Sequence, residues 1–411
     1  MVEAGQEEKA IIIGSEEHGE LEELAGLVRS AGGRVVGTVY WRKAKPDAAF
    51  FVGEGKLWEL KDQLRLKEAN LAVFDDELTP VQTRNLQKEL QAKVVDRTGV
   101  ILDIFAQRAR TKEAKLQVEK AQLEYLLPRL SGQGDELSRL AGGIGTRGPG
   151  ESKLESDRRR VRRQIGVLNR RLKQIKANRQ LQREARKRLD WPLIALVGYT
   201  NAGKSTLFRL LTGVPVEVED RLFSTLDPLF RRITFPNQQA AILIDTVGFI
   251  RKLPHQLVDS FRATLEEMRE ADLLLHVVNL ASPYLEEEYL AVTGLLRELG
   301  LEAKPVITVL NKKDLVSNEF TVLRAERNYP NALAISAATG AGSEELKAKL
   351  MEFLASRVLR GRFYIPFAES RYLSLFHEKG KVYKKEFHPA GVYLDAELPR
   401  IWFERLSRFK A

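Results

Sequence analysis

The sequence predicts an α/β multidomain protein whose central part is a P-loop domain with a mixed sheet flanked by helices. Three observations lead to this fold class. A buried-strand pattern runs into a phosphate-binding glycine loop after residue 191, strand and helix patterns alternate in the first 110 residues, and a basic stretch between them has helical apolar spacing. We therefore divide the 411 residues into an N-terminal α/β domain (1–110), a basic antiparallel helical hairpin (111–190), the P-loop domain (191–358) and a small C-terminal α/β domain (359–411).

The composition excludes several kinds of site. The chain has no cysteine, so it forms neither disulfides nor thiolate metal sites. Its five histidines are scattered without zinc-binding spacing, and we expect structural or surface roles for them. No apolar run reaches the roughly 18 residues of a membrane span, and the acidic N-terminus lacks the features of a secretory signal. We expect a cytoplasmic protein without a membrane span.

The first 110 residues carry alternating patterns of strands and helices. Strand patterns occupy Ala10–Ile13, Arg34–Tyr40 and Leu71–Phe74, and helix patterns occupy Glu20–Arg29, Gly55–Leu66 and Pro80–Leu90. This alternation favours a parallel sheet, because parallel strands need crossover connections. The short motif Gly53-Glu54-Gly55-Lys56 lacks the length of a phosphate loop and by itself predicts no site.

The positive charge is concentrated in one segment. The whole chain has a formal net charge of +10, with 66 Lys and Arg against 56 Asp and Glu. Residues 158–188 alone hold 14 Lys or Arg and a single acid, Glu184, for a net charge of +13. The other 380 residues therefore sum to −3. Such a local excess favours an anionic partner such as RNA.

The same segment has the apolar spacing of a coiled-coil helix. Val161, Ile165, Leu168, Leu172 and Ile175 follow one another in steps of four and three. An earlier stretch at 111–130 places leucines seven apart, so the two stretches predict an antiparallel helical hairpin. Three roles stay open for it: a solvated structural coiled coil, a dimerisation element and an RNA-binding stalk. The near absence of acids favours the stalk, because a merely solvated helix gains from mixed charges.

The loop between the two helical patterns, residues 131–153, contains seven glycines. Glycine permits close approach of the backbone to another surface, so we favour insertion into folded RNA over a plain flexible linker. The predicted RNA-binding residues are basic residues of this loop and of the following helix: Arg139, Arg147, Lys153, Arg158, Arg159 and Arg160.

A phosphate-binding loop follows the apolar strand pattern Trp191–Val197. Residues 198–205 read GYTNAGKS, which matches GxxxxGK[ST], and an amphipathic helix pattern follows. Backbone N–H groups and the helix N-terminus can then surround the phosphates. We expect Lys204 to reach the β- and γ-phosphates and the Ser205 hydroxyl to bind Mg²⁺. The predicted nucleotide contacts of this loop are Gly198, Asn201, Ala202, Gly203, Lys204, Ser205 and Thr206.

Further motifs predict that the nucleotide is a guanine nucleotide. A short strand pattern at 241–244 ends in DTVG, where Asp245 can hold Mg²⁺ and the Gly248 N–H can meet the γ-phosphate. Strand patterns at 273–278 and 305–310 follow, and the second leads into NKKD. The Asp314 carboxylate can accept both N1–H and N2–H₂ of guanine, a pair of donors that adenine does not offer. The predicted base contacts are Asn311, Lys312, Asp314, Ser336 and Ala337, the last two through their backbone.

With these motifs the chain resembles the HflX family of ribosome-associated GTPases. Residues 191–358 carry GYTNAGKS, DTVG, NKKD and SA, and the most family-specific part is GGIGTRGPGESKLESDRRRVRRQI at 142–165. With FVGEGK at 51–56, the likeness covers almost the whole chain. It implies a GTPase that binds the large ribosomal subunit and its RNA and splits stalled or hibernating ribosomes. We expect it to act as a monomer.

The resemblance also implies roles for single residues. Thr225, in FSTLDP, corresponds to the switch threonine, so the predicted metal ligands are Ser205, Thr225 and Asp245 and the predicted catalytic groups are Lys204, Thr225 and Gly248. Asn201 corresponds to an asparagine that can ligate K⁺ in related GTPases. The ligands that the resemblance implies are therefore GTP or GDP, Mg²⁺ and K⁺. Some members have an ATP-linked activity on RNA. ATP-dependent RNA remodelling by the N-terminal domain, with GTP as regulator, is therefore the alternative function, and the simpler role of that domain is docking.

Position 249 departs from the pattern of Ras-like enzymes, which place a water-orienting glutamine directly after DxxG. Here the residue is Phe249, whose ring can neither accept a proton nor orient water by a hydrogen bond. We predict slow intrinsic hydrolysis that a partner accelerates. The alternative is that another residue of the chain, such as His255, orients the water.

Residues 359–411 are rich in aromatic side chains. Lys379-Gly380-Lys381 and Pro389-Ala390-Gly391 have the composition of turns between short strands. We predict a small α/β domain in which the aromatic rings form the core rather than stack on bases.

Overall fold

The computed structural model describes residues 8–15, 19–41, 45–130, 149–189, 191–214, 222–223, 225–237, 239–252 and 267–411, and the side chains within them except those of 149–154, 178–189, 379 and 401. The strands are β1 (Lys9–Gly14), β2 (Arg34–Tyr40), β3 (Leu71–Phe74), β4 (Lys93–Asp96), β5 (Leu193–Gly198), β6 (Leu229–Thr234), β7 (Ala240–Asp245), β8 (Leu273–Asn279), β9 (Val306–Asn311), β10 (Leu333–Ala334), β11 (Val358–Pro366), β12 (Lys381–His388) and β13 (Gly391–Pro399). The helices are α1 (Glu20–Ser30), α2 (Glu54–Leu66), α3 (Pro80–Leu90), α4 (Arg97–Arg108), α5 (Lys112–Arg129), α6 (Pro149–Leu189), α7 (Lys204–Thr212), α8 (Leu285–Glu298), α9 (Glu319–Asn328), α10 (Ser343–Ala355), α11 (Arg371–Lys379) and α12 (Arg400–Arg405).

The N-terminal part is a four-stranded sheet with the order β2-β1-β3-β4, and all its pairs are parallel. The predicted alternation is confirmed, since each of its three strands and three helices is present within a residue of its predicted ends. The sequence did not predict β4 and α4. Strand β4 has only four residues, and α4 buries most of its residues, so it lacks the amphipathic period that marks a surface helix.

Helices α5 and α6 pack side by side. The predicted stripe of α6 is its covered side: Leu168 is buried and Val161, Ile165, Leu172 and Ile175 are half-buried. Gln164 Nε2 of α6 donates to Glu119 Oε1 of α5 at 2.8 Å. The basic side chains exposed on α6 are Arg159, Arg160, Arg162, Arg163, Arg170, Arg171, Lys173 and Lys176.

Two details of the helical pair differ from the sequence prediction. The predicted loop ends too late, because α6 already begins at Pro149, a residue that fits the first turn of a helix. Helix α5 also has a second buried face: Ala114, Val118 and Ala121 belong to the core that contains α1 and α4. The sequence pattern did not predict this face, because it relied on the spacing of leucines and these residues are smaller.

The central sheet has six strands in the order β10-β9-β8-β5-β7-β6. Five of them are parallel, and the edge strand β6 runs antiparallel to β7, so the sheet is mixed as predicted. The loops that follow β5, β7 and β9 leave from the carboxyl ends of neighbouring strands, where open α/β sheets bind ligands. The topology therefore brings GYTNAGKS, DTVG and NKKD together.

The C-terminal part is an antiparallel sheet with the order β11-β13-β12, accompanied by α11 and α12. Phe363, Phe376 and Phe409 lie in its core, as predicted for the aromatic residues. For Tyr383, Phe387 and Tyr393 the prediction is wrong, because these rings are exposed, the first two on the edge strand β12 and the third on β13. The predicted turn at 379–381 joins helix α11 to β12 rather than two strands, whereas Pro389 and Ala390 do connect β12 to β13.

The N-terminal and central parts share one continuous core. Residues of α1, α4 and α5 belong to the same buried cluster as residues of β5 and β7 and as Phe249. The Phe105 ring on α4 meets Phe223 edge-on, with centroids 4.7 Å apart. The nucleotide-binding sheet is therefore packed directly against the N-terminal domain. None of the helices in the described part of the chain combines the length and apolar character that a membrane crossing requires.

Candidate nucleotide-binding site

The loop between β5 and α7 has the backbone of a phosphate-binding loop. Asn201 and Gly203 adopt positive φ angles of 58° and 91°, which turn successive N–H groups inward. A Cβ on Gly203 would lie 2.2 Å from Asn311 Nδ2, so only glycine fits there. Ala202 is buried, and its carbonyl accepts the Asn311 amide at 2.9 Å. The predicted contacts from Gly198 to Thr206 thus lie in one loop and the start of one helix.

Lys204 is buried at the start of α7. Its Nζ donates to the Tyr199 carbonyl at 2.7 Å. Burial lowers the pKa of Lys204 to about 8, and the carboxylate of Asp245 only partly opposes this effect. A buried cation bonded to a neutral carbonyl is poised for an anion, because phosphate oxygens would both neutralise its charge and accept its hydrogens.

The three predicted metal ligands converge although they come from three separate segments. Ser205 Oγ lies 2.9 Å from Thr225 Oγ1, and both hydroxyls donate to Asp245 Oδ2, at 2.8 and 2.9 Å. The Asp245 side chain is fully buried, and its second oxygen, Oδ1, has no hydrogen-bond partner among the residues that the structure describes. Burial raises the pKa of Asp245, against the effects of Lys204 and the two hydroxyls. Hard oxygen ligands around an unsatisfied buried carboxylate fit Mg²⁺.

Gly248 and Phe249 form the other wall of the site. Phe249 N–H donates to the Gly198 carbonyl at 3.0 Å, and the Phe249 carbonyl accepts Thr200 N–H at 2.7 Å. A Cβ on Gly248 would lie 2.9 Å from Lys204 Nζ and 3.0 Å from Thr200 Cα, so this backbone approaches the phosphate loop closely. The Phe249 side chain is buried in the core. Its ring therefore has a packing role, and His255 lies outside the described residues.

Asn311 connects the two segments predicted to bind the base, which are NKKD at 311–314 and the segment with Ser336 and Ala337. Its Nδ2 donates to Ala202 and its Oδ1 accepts Ala337 N–H, each at 2.9 Å, so Asn311 ties the phosphate loop to the segment after β10. Lys312 Nζ reaches Asn201 Oδ1 at 3.4 Å. Asp314 is exposed one turn further on, and Ser336 is buried. Asn311, Lys312 and Ala337 are thus tied to the phosphate loop or to one another, although the Ala337 N–H expected to face guanine is engaged by Asn311.

The predicted RNA-binding residues are only partly within the described chain. Arg139 and Arg147 lie outside it, and of Lys153 only the backbone is described, within α6. Arg159 and Arg160 are exposed on α6, and Arg158 is half-buried. The motif at 53–56 forms the start of α2, where Lys56 Nζ pairs with Glu59 at 2.7 Å.

The structure adds polar contacts that sequence reasoning did not find. The Tyr199 hydroxyl donates to Glu23 of α1 and accepts Arg251 N–H at 2.8 Å, and burial raises the pKa of Tyr199 to about 12. Arg97 pairs with Glu23 and Asp75, and its Nη2 donates to the Arg251 carbonyl at 3.0 Å. No motif predicts these contacts, because the residues belong to different elements and meet only in the folded chain.

Lys252 extends this network from the segment after DTVG. Its Nζ lies 2.5 Å from Asp75, 3.0 Å from Asp76 and 3.2 Å from Glu20. Burial by itself would lower the pKa of Lys252, but its bonds to Asp75 and Asp76 raise it overall. The carboxyl edge of the N-terminal sheet is therefore acidic and filled by a cation of the nucleotide domain.

The mixed sheet, the phosphate loop, the hydroxyl–carboxylate cluster and the NKKD segment together define a guanine nucleotide-binding P-loop protein. Family models match three consecutive regions: "GTP-binding GTPase N-terminal" at 18–106, "GTP-binding GTPase Middle Region" at 108–186 and "50S ribosome-binding GTPase" at 193–312.

Whole-chain relatives make the assignment more specific. The chain is 45% identical over 400 residues to a protein named GTPase HflX from Caldanaerobacter subterraneus, covering 97% of this chain and 92% of that one. It is 43% identical over 391 residues to GTPase HflX of Escherichia coli, covering 95% and 92%. A solved structure described as SsGBP in complex with GDP is 30% identical with a TM-score of 0.50, covering 84% of this chain and 98% of that one. The chain belongs to the HflX family of GTPases, and it is a GTP hydrolase.

Proposed function

We propose that this GTPase binds the large ribosomal subunit in its GTP state, splits or rescues stalled or hibernating ribosomes, and leaves after hydrolysis. Three features support the proposal: the matched family model described as a 50S ribosome-binding GTPase, the assembled nucleotide site, and the basic face of α6. The last carries the most weight, because eight exposed cations on one helix have no role in GTP binding. Its place of action would be the cytoplasm, as a monomer.

The residues divide the work at the phosphates. The backbone from Gly198 to Thr206 encloses the α- and β-phosphates, Lys204 neutralises charge on the β- and γ-phosphates, and the Gly248 N–H holds a γ-phosphate oxygen. Asp314 accepts the two donors on the edge of guanine, and Asn311 keeps its loop against the phosphate loop. The reaction transfers the γ-phosphoryl group to water, so positioning and charge neutralisation dominate the catalysis.

Ser205, Thr225 and Asp245 would hold Mg²⁺, Asp245 directly or through water. When bound, the ion would neutralise charge that develops between the β- and γ-phosphates. Thr225 links this site to the presence of the γ-phosphate, since its hydroxyl lies within the same cluster. Asn201, which projects from the loop with a positive φ, would be the ligand of a K⁺ ion.

Hydrolysis is expected to be slow without a partner. Phe249 occupies the position of the water-orienting glutamine, and its ring is buried in the core. The measurement compares GTP turnover with and without purified large ribosomal subunits; equal rates would contradict partner activation.

Ribosome binding is tested by co-sedimentation with purified ribosomes in the presence of a non-hydrolysable GTP analogue, GDP or no nucleotide. We expect binding with the analogue and little with GDP, and we expect sucrose gradients to show intact ribosomes converted to subunits. A variant carrying Arg159→Glu and Arg163→Glu should lose binding, and Arg324→Glu with Arg327→Glu, on exposed positions of α9, is the matched control. Binding that ignores the nucleotide would remove the switch function.

The alternative, ATP-dependent RNA remodelling by the N-terminal domain, has less support. The carboxyl edge of its sheet is lined by Asp75, Asp76 and Glu20, which would repel a triphosphate. Lys56 is paired with Glu59. Deleting residues 1–110 would expose the core shared with the nucleotide sheet, so Lys56→Ala is the better test; loss of ATP-dependent unwinding with unchanged GTPase activity would favour this alternative.

The remaining proposals concern domains and assembly. We propose four domains at 1–110, 111–190, 191–358 and 359–411. Because the first and third of these domains share one core, we expect them to act together. Dimerisation through α6 has little support, since α5 of the same chain covers the apolar stripe.

A further inference from the structure

The segment that carries Thr225 is attached to the N-terminal half of the chain on both sides of the threonine. Before it, Leu222 N–H donates to Ser30 Oγ at 3.0 Å, and the Phe223 ring packs against Phe105. After it, the Leu226 side chain is buried in the core that the two halves share. The segment therefore lies between the nucleotide site and the N-terminal helices.

Asp227 makes the most specific of these contacts. Its Oδ2 accepts the N–H groups of Arg110 and Thr111 at 3.1 and 3.0 Å, and its Oδ1 accepts the Thr111 hydroxyl at 2.5 Å. Thr111 is the N-cap of α5, where its hydroxyl oxygen accepts Ala114 N–H at 3.1 Å. One carboxylate thus binds the donors at the start of α5, where the helix dipole favours a negative charge.

Asp227 and Thr225 cannot move independently. They are separated by one residue, and two residues of extended chain span at most about 7 Å. The buried Leu226 between them leaves little slack. In this structure Thr225 Oγ1 lies 2.9 Å from Asp245 Oδ2, and at the same time the Asp227 carboxylate is hydrogen-bonded to the start of α5. Withdrawal of Thr225 from Asp245 would therefore pull Asp227 away from the helix.

The other end of α5 is held by different residues. The Tyr125 hydroxyl donates to Asp96 Oδ1 at 2.7 Å, and Arg129 Nη2 donates to Asp96 Oδ2 at 2.9 Å. Asp96 is buried at the end of β4, far along the chain from the switch segment. Release of Asp227 would remove its hydrogen bonds at the start of α5, where Ala114 stays packed in the core, and would leave the Asp96 bonds at the other end intact. We expect this one-sided loss to change the tilt of α5 and of the packed α6.

We propose that Asp227 transmits the nucleotide state from Thr225 to α5 and thereby sets the position of the basic helix α6. Asp227 is a positioning residue, since its carboxylate is hydrogen-bonded to the start of α5 and acts on the nucleotide site through Thr225. Its effect on RNA binding rests on the proposed function, whereas the movement of α6 does not.

The test measures the distance between α6 and the nucleotide domain in the full-length protein. Because the chain has no cysteine, Arg170→Cys on α6 and Glu345→Cys on α10 place spin labels at two exposed positions. Double electron–electron resonance distances are recorded with a non-hydrolysable GTP analogue and with GDP. The parent is compared with Asp227→Ala and with Tyr125→Phe, the matched control that removes a hydrogen bond at the other end of the same helix.

We expect a narrow distance distribution with the analogue and a shifted, broader one with GDP. In Asp227→Ala the analogue distribution should match that of GDP, while Tyr125→Phe should keep a difference between the two nucleotides. GDP affinity within about twofold of the parent value shows that the site of the variant is folded. The proposal is overturned if Asp227→Ala keeps the full nucleotide-dependent difference, or if the parent shows none.

A second measurement separates this inference from the proposed function. The ratio of ribosome affinity with the GTP analogue to that with GDP should fall about fivefold or more in Asp227→Ala, which is the range of ordinary allosteric coupling. It should stay within about twofold of the parent in Tyr125→Phe. If the parent does not bind ribosomes at all, the proposed function fails, and the distance measurement still decides the role of Asp227.

Discussion

At the scale of single residues, the nucleotide site is made of groups whose neighbours leave them unsatisfied. Lys204 is a buried cation with a carbonyl partner, and Asp245 is a buried carboxylate with one oxygen unpaired. Both arrangements are unfavourable without a ligand and favourable with phosphates and a metal ion. The sequence motif predicted these residue types, but their burial and pairing come from the fold.

Asp314 should set the choice of base. Replacing it in Asp314→Asn removes the acceptor for the two guanine donors and supplies an amide donor that suits the C2 oxygen of xanthine. We expect GDP affinity to fall about 100-fold or more, since a site built to hydrogen-bond one edge rejects its mismatch, and xanthosine diphosphate to bind in its place. Fluorescent-nucleotide titrations measure this. Glu319→Gln, a nearby exposed change, should leave both affinities unaltered.

His276 should make the folded state sensitive to acid. It is buried in β8 and stacked on Tyr289 at 4.8 Å, and burial lowers its pKa to about 3, with Lys204 adding to the effect. Below the ordinary histidine pKa of about 6.5 the unfolded chain takes up a proton that the native chain does not, so stability falls as the pH falls.

The expected contribution of His276 is a loss of about 1.5–2 kcal/mol in unfolding free energy between pH 6.5 and pH 5. Urea unfolding at several pH values measures it. His276→Asn should reduce the pH dependence by this amount, whatever its effect on stability at pH 8. The exposed His377→Asn is the control, and an unchanged slope in His276→Asn would contradict the argument.

At the scale of elements, the carboxyl edge of the N-terminal sheet is joined to the switch region by charge. Asp75, at the end of β3, is buried, and burial raises its pKa to about 6 against the effect of Lys252. Arg97 and Lys252 both bond to this carboxylate. The pairing fixes the segment after DTVG to the N-terminal domain.

Breaking this pairing should destabilise the protein measurably. Lys252→Met leaves Asp75 buried and still paired with Arg97. We expect a loss of about 1–3 kcal/mol in unfolding free energy, less than for a fully buried pair because Lys252 is partly exposed. Lys9→Met, which breaks a pair with the exposed Glu68, should change it by about 0.5 kcal/mol or less. Equal effects of the two changes would show that the Lys252–Asp75 pair adds no more stability than the exposed Lys9–Glu68 pair.

The elements themselves were largely predictable where their patterns were simple. The first three strands and first three helices of the N-terminal part, and the parallel strands of the nucleotide sheet, follow from alternation and apolar runs. Helix α4 and the second face of α5 were not predictable, since a helix buried on most sides, or packed through Ala114 and Ala121, shows no amphipathic period. The edge strand β6 reads LFRRIT, which is neither an apolar run nor a strict alternation, so no pattern marks it as a strand.

At the scale of the whole molecule, positive charge is concentrated in two regions of the chain rather than in one. Residues 359–411 hold 11 Lys or Arg against 6 Asp or Glu, a net charge of +5. Outside this region and residues 158–188, the chain is therefore net −8. The acidic remainder includes the carboxylates that pair with Arg97 and Lys252, so opposite charges are used within the molecule as well as toward a partner.

Binding to ribosomal RNA through α6 should weaken as the salt concentration rises, and the steepness of this dependence should report the number of phosphate contacts. Each phosphate contact contributes about 0.7–0.9 to the slope of log K against log salt concentration. Replacing Arg159 and Arg163 by glutamine should lower that slope by about 1.4–1.8, whereas Arg324 and Arg327 replaced by glutamine should leave it unchanged. Fluorescence anisotropy with a ribosomal RNA fragment at several salt concentrations measures the slope, and equal slopes in both variants would place the contact elsewhere.

The sequence by itself determined the chemistry of this protein: a guanine nucleotide site follows from motifs whose members are close together in the chain, and a basic helix follows from local composition. Only the tertiary structure decided how these parts are connected. Asp227 at the start of α5, Tyr199 on Glu23 and Lys252 in the acidic edge join residues about 100 or more positions apart. Their partners are set by how the two sheets pack, and a single sequence holds no local pattern for such pairs.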